Sequence, residues 1–146
     1  MRFTIFLAAA LGLLVACGNS GSPAPQGWQP LGGVADTWVT GSGADQQQYF
    51  YNKAPFSGAL SDLASRVTID VLMRNRGAKL EGSLPFGACP GEAGIATFGL
   101  SNGSTVEVGF TVHDGQAIRT QYARPKGAPV DPNVKPAMQS VLCTSS

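Results

Sequence analysis

Three cysteines and one histidine are the residues of this chain best suited to covalent or acid–base chemistry. Cys17 ends an uncharged apolar run that starts at Phe3, whereas Cys89 and Cys143 lie in the second half of the chain. A thiolate can carry a substituent, form a disulfide or bind a metal, and the imidazole of His113 could act as a general base. What these four positions can do depends on the elements around them.

The first cysteine closes a segment that is typical of a secretion signal. Arg2 is the single charge before an apolar run shorter than the about 20 residues of a membrane span. The run ends in Leu14-Val15-Ala16-Cys17. This pattern of two apolar residues, a small residue and a cysteine resembles the lipobox of bacterial lipoproteins. The resemblance implies that residues 1–16 are a signal peptide and that the Cys17 thiol receives a diacylglyceryl group; an ordinary signal peptide with a chance cysteine is the alternative.

Lipidation would decide the location of the protein. Two or three acyl chains hold a protein on a membrane far more firmly than one chain does. We therefore expect an extracytoplasmic, lipid-anchored protein of the bacterial cell envelope. Gly18, rather than Asp, follows Cys17, which in this family favours the outer membrane, facing the periplasm, if the source has two membranes. Residues 17–27 are rich in Gly, Ser and Pro and predict a flexible tether, followed by a single domain over residues 28–146.

The other two cysteines form an obvious pair once Cys17 carries lipid. In an oxidising compartment we expect a Cys89–Cys143 disulfide, which stabilises the fold by roughly 4 kcal/mol on the chain-entropy model. A reactive thiol or metal pair is the rival hypothesis, but two cysteines and His113 make a poor ligand set and no C-x-x-C is present. No cofactor or metal is expected. Without Arg2 the positive and negative side chains balance, which argues against nucleic acid as a partner.

Hydrophobic periodicity predicts the elements that position these residues. Short strands are expected at residues 38–40 and 46–52, and apolar residues at helical spacing predict a long helix over residues 57–74 with Ser57 as its N-cap. Alternation and the Asn102-Gly103 and Asp114-Gly115 turns predict four further strands. These cover residues 80–86, 95–100, 106–112 and 117–124. A short helix over about residues 133–143 completes the pattern.

The expected fold is therefore α+β: two N-terminal strands and a four-strand antiparallel meander, packed against a long helix and a C-terminal helix and joined by one disulfide. We expect the meander to have one dry face and one wetter face. The order of elements across residues 27–143 resembles the PsbP-like fold, which also occurs in small bacterial lipoproteins. That resemblance implies a role in partner binding or assembly; the disulfide is not part of the general pattern of that fold.

These features favour a non-enzymatic, lipid-anchored module that binds an envelope protein or a small ligand. One candidate contact patch combines cations and aromatic residues: Arg66, Arg74, Arg76, Lys79, Tyr49 and Tyr51. A solvated face is the alternative interpretation of the cations, and a place in the core is the alternative for the aromatic residues. Two other functions stay open. A small hydrolase would use His113, although no nucleophile motif accompanies it, and a structural spacer would need no site.

Overall fold

A seven-stranded antiparallel sheet with one helix on each face makes up the fold, which the computed structural model describes for residues 23–144. The strands are β1 (Gln29–Pro30), β2 (Thr37–Thr40), β3 (Gln47–Pro55), β4 (Lys79–Pro85), β5 (Ala93–Gly99), β6 (Thr105–His113) and β7 (Gln116–Arg124). The helices are α1 (Leu60–Arg74) and α2 (Val134–Leu142), and a 3-10 turn covers Gly43–Asp45. The α+β prediction is confirmed, with β1 as an additional strand.

The strands are arranged in the order β1-β2-β3-β7-β6-β5-β4. Strands β4 to β7 form the predicted meander, and Tyr49 of β3 pairs with Tyr122 of β7. In the β6–β7 hairpin, Asp114 and Gly115 both have positive φ, 48° and 70°. That is the mirror-image turn whose twist matches the flanking strands. Strand β3 pairs with β7 in the interior of the sheet, whereas β4 lies at the far edge. Helix α1, which joins β3 to β4 in the chain, therefore crosses from the interior of the sheet to that edge.

Helix α1 covers one face of the meander. Its buried residues Leu63, Val67 and Val71 recur at helical spacing and pack with apolar side chains of β5 and β6 such as Phe98 and Val108. The helix begins later than predicted, because the Asp62 carboxylate accepts the Ala59 N–H at 2.8 Å and caps the first turn there rather than at Ser57. At the other end, the Asn75 N–H and side-chain amide both donate to the Val71 carbonyl.

Helix α2 covers the part of the opposite face that β6 and β7 form. This face is wetter, as expected, since Ile95, Thr97 and Glu107 are only half-buried on it, whereas Ala96, Phe98 and Val108 on the α1 side are buried. Helix α2 lies so close to the sheet that a Cβ on Gly109 would be 2.6 Å from Leu142 Cδ1. Thr111 and Thr120, which share this face, are buried. The alternation along the strands identifies the two faces correctly, and the amphipathic C-terminal helix covers part of the more polar one. Pro136 falls in the first turn of α2, where its missing N–H costs little.

Packed structure is already present at Pro25, three residues before Trp28, where the domain is predicted to begin. Pro25 is fully buried, and its carbonyl accepts the Trp28 N–H at 3.2 Å. The Leu14–Cys17 pattern, the predicted signal peptide of residues 1–16 and the first part of the predicted tether lie outside the described residues. Within residues 23–144, neither helix is long and apolar enough to cross a membrane.

Candidate functional site

A disulfide fixes α2 and the loop between β4 and β5 to each other. Cys89 and Cys143 are bonded, with their Cα atoms 5.7 Å apart, as predicted. Cys89 is buried in a turn in which its N–H donates to the Phe86 carbonyl, and Cys143 follows the last turn of α2. Both cysteines pack in the apolar cluster beneath α2. The bond therefore holds this helix against the sheet.

A hydrogen-bond network fixes the loop that leads into α2. The Tyr122 hydroxyl donates to Gln47 Oε1 and accepts the Asp131 N–H at 3.1 Å. The Gln47 amide in turn donates to the Pro129 carbonyl at 3.2 Å. Burial raises the pKa of Tyr122, which keeps the hydroxyl protonated and able to donate. Residues 129–131 are thus attached to β3 and β7 before α2 begins.

An apolar cavity of about 230 Å³ opens between α2, this loop and the sheet. Apolar side chains from five segments form most of its wall, and Glu107 and Lys135 add one charge of each sign. Its lining residues are Phe86, Gly87, Ile95, Glu107, Tyr122, Val130, Val134, Lys135 and Met138. No ion pair joins Glu107 to Lys135 in the described part of the chain. A mostly apolar concave surface with a few polar groups is the usual composition of a binding site.

The two tyrosines of the predicted contact patch do not form an exposed surface. Tyr49 is fully buried (0% exposed), with Trp28 edge-on to its ring at a centroid distance of 6.4 Å. Burial also raises the pKa of its hydroxyl. Tyr51 is half-buried on the same face. The prediction that Tyr49 contributes to a contact patch is therefore wrong, because its ring is part of the core beneath α2. The alternation along β3 shows which residues share a face, but not whether that face is buried or exposed.

The four predicted cations do not form one patch either. The Arg66 guanidinium lies over the Phe56 ring, 5.2 Å from its centroid, on the α1 side of the sheet. Lys79 pairs with Gly99, and alternation along β5 places Gly99 on the α2 side. Arg76, in the loop after α1, is exposed, as are the other three cations. The register of β4 places Lys79 on the side of the sheet opposite to Arg66. The hydrophobic periodicity of the helix contains no information about that register.

Arg74 belongs to a small ion-pair network centred on Asp70. Asp70 Oδ1 accepts Arg74 Nε at 2.5 Å, and Asp70 Oδ2 accepts Arg119 Nη1 at 2.7 Å. Desolvation by itself raises the pKa of Asp70, but the hydrogen bonds and charges of Arg119 and Arg74 together outweigh it, so the pKa lies below its usual range. Asp70 and Arg74 lie four residues apart on α1, and Arg119 of β7 adds a link from α1 to the sheet.

His113 lies at the end of β6, where the hairpin turn begins. Its imidazole is half exposed, and Nε2 is 3.0 Å from Oδ2 of Asp114, a side chain that is almost fully exposed. Both groups face solvent on the hairpin, outside the cavity beneath α2. A hydrolase would need this histidine in a concave site beside a nucleophile. His113 does line a second, shallow depression together with Thr111 and Thr144. The hydroxyls of both threonines donate to Glu92 rather than to the imidazole, so neither is positioned as an activated nucleophile.

The cavity beneath α2 was therefore not predicted from the sequence. Glu107 of β6 and Lys135 of α2 are far apart in the sequence, and only the placement of α2 brings them to one cavity. The one signal available was Val130, an apolar residue in the Pro-rich segment before α2, which lies at the cavity and is 57% exposed. The residues described contain no cluster of three or more His, Cys, Asp or Glu that could hold a metal. Comparison with known proteins finds no matching family model and no similar curated protein.

Proposed function

We propose that this protein is a lipid-anchored binding module of the bacterial cell envelope, which holds one large apolar group in the cavity beneath α2. The anchor is Cys17, at the end of the lipobox-like pattern Leu14-Val15-Ala16-Cys17. The observation that supports binding is the cavity, which is mostly apolar and carries Glu107 and Lys135. The group would come from an envelope protein or from a small ligand.

The size of the cavity limits what it can hold. An apolar cavity of about 150 Å³ accommodates benzene, whereas pockets for drug-sized ligands begin at roughly 300 Å³. At about 230 Å³, the cavity has room for one aromatic ring or one branched aliphatic chain. The two charged side chains then offer partners for a polar group attached to that chain. This size favours a single side chain of a partner protein, or a small molecule of the same size.

The experiment combines an anchor variant with a cavity variant. Gly87 lines the cavity, and a Cβ built there meets no atom within 4 Å. The side chain of Gly87→Trp would therefore fill the opening, and its Cβ would clash with no neighbouring atom. Gly82→Trp is the matched control, because Gly82 has equally open surroundings and does not line the cavity. Crosslinking in native envelopes would compare both variants, Cys17→Ala and the wild type.

We expect a crosslinked partner that is lost in Gly87→Trp and in Cys17→Ala but kept in Gly82→Trp. For a small ligand, NMR titration of the purified chain with indole or toluene should shift the methyl signals of Ile95, Val134 and Met138, and Gly87→Trp should abolish these shifts. Mass spectrometry of the mature chain tests the acyl group on Cys17. A partner kept by Gly87→Trp, together with no response to either probe, would contradict the role of the cavity; an unmodified Cys17 would contradict the anchor.

A further inference from the structure

The outward side of α1 exposes apolar side chains that the core does not use. The described residues have seven large apolar side chains that are clearly exposed, and three of them fall within five residues of α1. These are Ile69 (57% exposed), Leu72 (38%) and Met73 (81%). They project from the side opposite to Leu63, Val67 and Val71, since residues three and four apart share one face of a helix. Helix α1 is thus apolar towards the sheet and again towards solvent.

Cations flank this outward apolar surface. Ile69 and Met73 line a shallow depression together with Arg66, Arg74 and Asp70. The carboxylate of Asp70 is shared between Arg74 and Arg119 of the sheet, and the carboxylate of Asp62 accepts the Ala59 N–H. The helix itself thus carries two charges of each sign, and Arg76 after it and Arg119 of the sheet add the positive charge of this region. Long cationic side chains beside exposed apolar ones are typical of helices that lie in a membrane interface, with their charged ends towards anionic headgroups.

We propose that the outward side of α1 lies on the anionic lipid surface to which Cys17 anchors the chain. This inference rests on the lipid anchor of the proposed function. The chain from Cys17 to Pro23, the first residue described, can cover at most about 20 Å even when fully extended. The domain is therefore always held close to the bilayer. At this high effective concentration of lipid, even a face with a weak affinity for the membrane binds to it.

The position of α1 is compatible with so short a connection. The N-terminal end of the domain lies at the β1 edge of the sheet, and α1 packs on β4, β5 and β6 at the other side. With α1 on the bilayer, the sheet stands above the lipid by about the 10 Å diameter of a helix. Trp28, just before β1, packs on the α2 side, so the connecting residues must rise by this height and pass the sheet edge, for which their extended length of about 20 Å is sufficient. Docking through α1 also leaves the cavity on the opposite face open to a partner.

The test places one fluorophore on the lipidated full chain in vesicles of phosphatidylethanolamine and phosphatidylglycerol. Met73→Cys gives the labelling site, since Cys17 would carry its lipid thioether and the other two cysteines are bonded to each other. Val34→Cys is the control, because Val34 is 50% exposed and lies between β1 and β2, near the anchored end. An environment-sensitive dye and nitroxide-labelled lipids report contact with the bilayer.

We expect a blue shift and strong quenching at residue 73 and little change at residue 34, in spite of its position near the anchor. Equal quenching at the two sites, or none at residue 73, would overturn the proposal. The proposal would also be overturned if residue 73 showed a blue shift but no quenching by nitroxide lipids, and if that shift grew with the number of chains per vesicle. This result would assign the surface to contact between copies of the chain. Mass spectrometry of the same sample shows whether Cys17 is acylated, so loss of the anchor is distinguished from loss of docking.

A charge comparison makes the test specific for anionic lipid. Arg66→Gln with Arg76→Gln removes two exposed cations at α1, and Lys53→Gln with Lys126→Gln removes two exposed cations elsewhere. Each cation near an anionic surface strengthens binding about five-fold. The first pair should therefore lower the ratio of docked to undocked protein about 30-fold, and the second pair should leave it unchanged. The same quenching in vesicles of phosphatidylcholine alone would overturn the role of charge and with it the proposal.

Discussion

The indole Nε1 of Trp28 donates a hydrogen bond to Asp131 Oδ2 at 3.2 Å, although 103 positions separate the two residues. Asp131 also accepts the Asn133 N–H through Oδ1 at 2.8 Å, just before α2. The Trp28 ring contacts Tyr49 and Tyr122 edge-on, with centroid distances of 6.4 and 6.0 Å. The N-terminal part of the described chain is thereby joined directly to the loop that forms one wall of the cavity.

Replacing Trp28 by Phe should lower the free energy of unfolding by about 2 kcal/mol, because a hydrogen bond to a charged group is lost along with some buried apolar area. Urea denaturation followed by circular dichroism measures the loss. A double-mutant cycle with Asp131→Ala separates the hydrogen bond from the packing. If the two substitutions were simply additive, the bond between these side chains would have no measurable effect on stability.

Removing the disulfide by Cys89→Ala with Cys143→Ala should lower the free energy of unfolding by roughly 4 kcal/mol. The bond closes a loop across a sequence separation of 54 residues, and the chain-entropy model gives that magnitude. Urea denaturation with and without a reductant provides the control. Reductant should destabilise the wild-type chain and leave the double variant unchanged; an equal response in both chains would show that the reductant acts elsewhere.

Gly109→Ala should destabilise the domain by about 1–3 kcal/mol, the usual cost of overpacking. A Cβ at this position would lie 2.6 Å from Leu142 Cδ1 and 2.7 Å from Thr120 Oγ1, so α2 would have to move away from the sheet. Gly82→Ala is the matched control in another strand, since a Cβ there meets nothing within 4 Å. Thermal unfolding of both variants tests this; equal melting temperatures would contradict the close contact between α2 and the sheet.

Asp70→Asn should lower stability at neutral pH and make the remaining stability less sensitive to acid. Desolvation alone would raise the pKa of Asp70, but the bonds and charges of Arg119 and Arg74 outweigh it and hold the folded-state pKa below its ordinary value of 3.8. The ionised carboxylate therefore stabilises the fold above pH 3.8, and this contribution is lost as pH falls through the lower folded-state pKa.

Melting temperatures measured between pH 7 and pH 2 would show this as a difference between the wild type and Asp70→Asn that narrows in acid. Asp114→Asn is a suitable control, because Asp114 is an exposed carboxylate whose neighbour is His113 on the hairpin. A difference for Asp70→Asn that stays constant down to pH 2 would contradict the role of its charge and would indicate an effect of packing alone.

Local patterns were sufficient to predict most of the elements. Helix α1 follows from the spacing of Leu63, Val67 and Val71, and the β6–β7 hairpin follows from Asp114-Gly115, because these signals depend on near neighbours alone. The cysteine pair follows from the small number of cysteines and the expected compartment. Each of these predictions needed only the sequence within one element, or the tendency of two cysteines to form a disulfide in an oxidising compartment.

Long-range pairing could not be predicted in the same way. Alternation shows which residues of a strand share a face, but not which strand lies beside it or what covers that face. The pairing of β3 with β7 places Tyr49 beneath α2, and the register of β4 turns Lys79 away from Arg66. The candidate patch was incorrect for this reason, and the cavity was missed because it exists only where α2, its preceding loop and the sheet meet.

The position of the disulfide along the chain also has a mechanical consequence. A force transmitted through the N-terminal segment reaches Trp28 before β1, and the Trp28 indole is hydrogen-bonded to Asp131 and packs against Tyr122, a lining residue of the cavity. Of the residues that line the cavity, all but Phe86 and Gly87 lie between Cys89 and Cys143, within the covalently closed loop. A pull on the N-terminal segment is therefore transmitted to the cavity wall before the β1–β2 edge separates, while the disulfide keeps most of the lining residues inside one covalently closed loop.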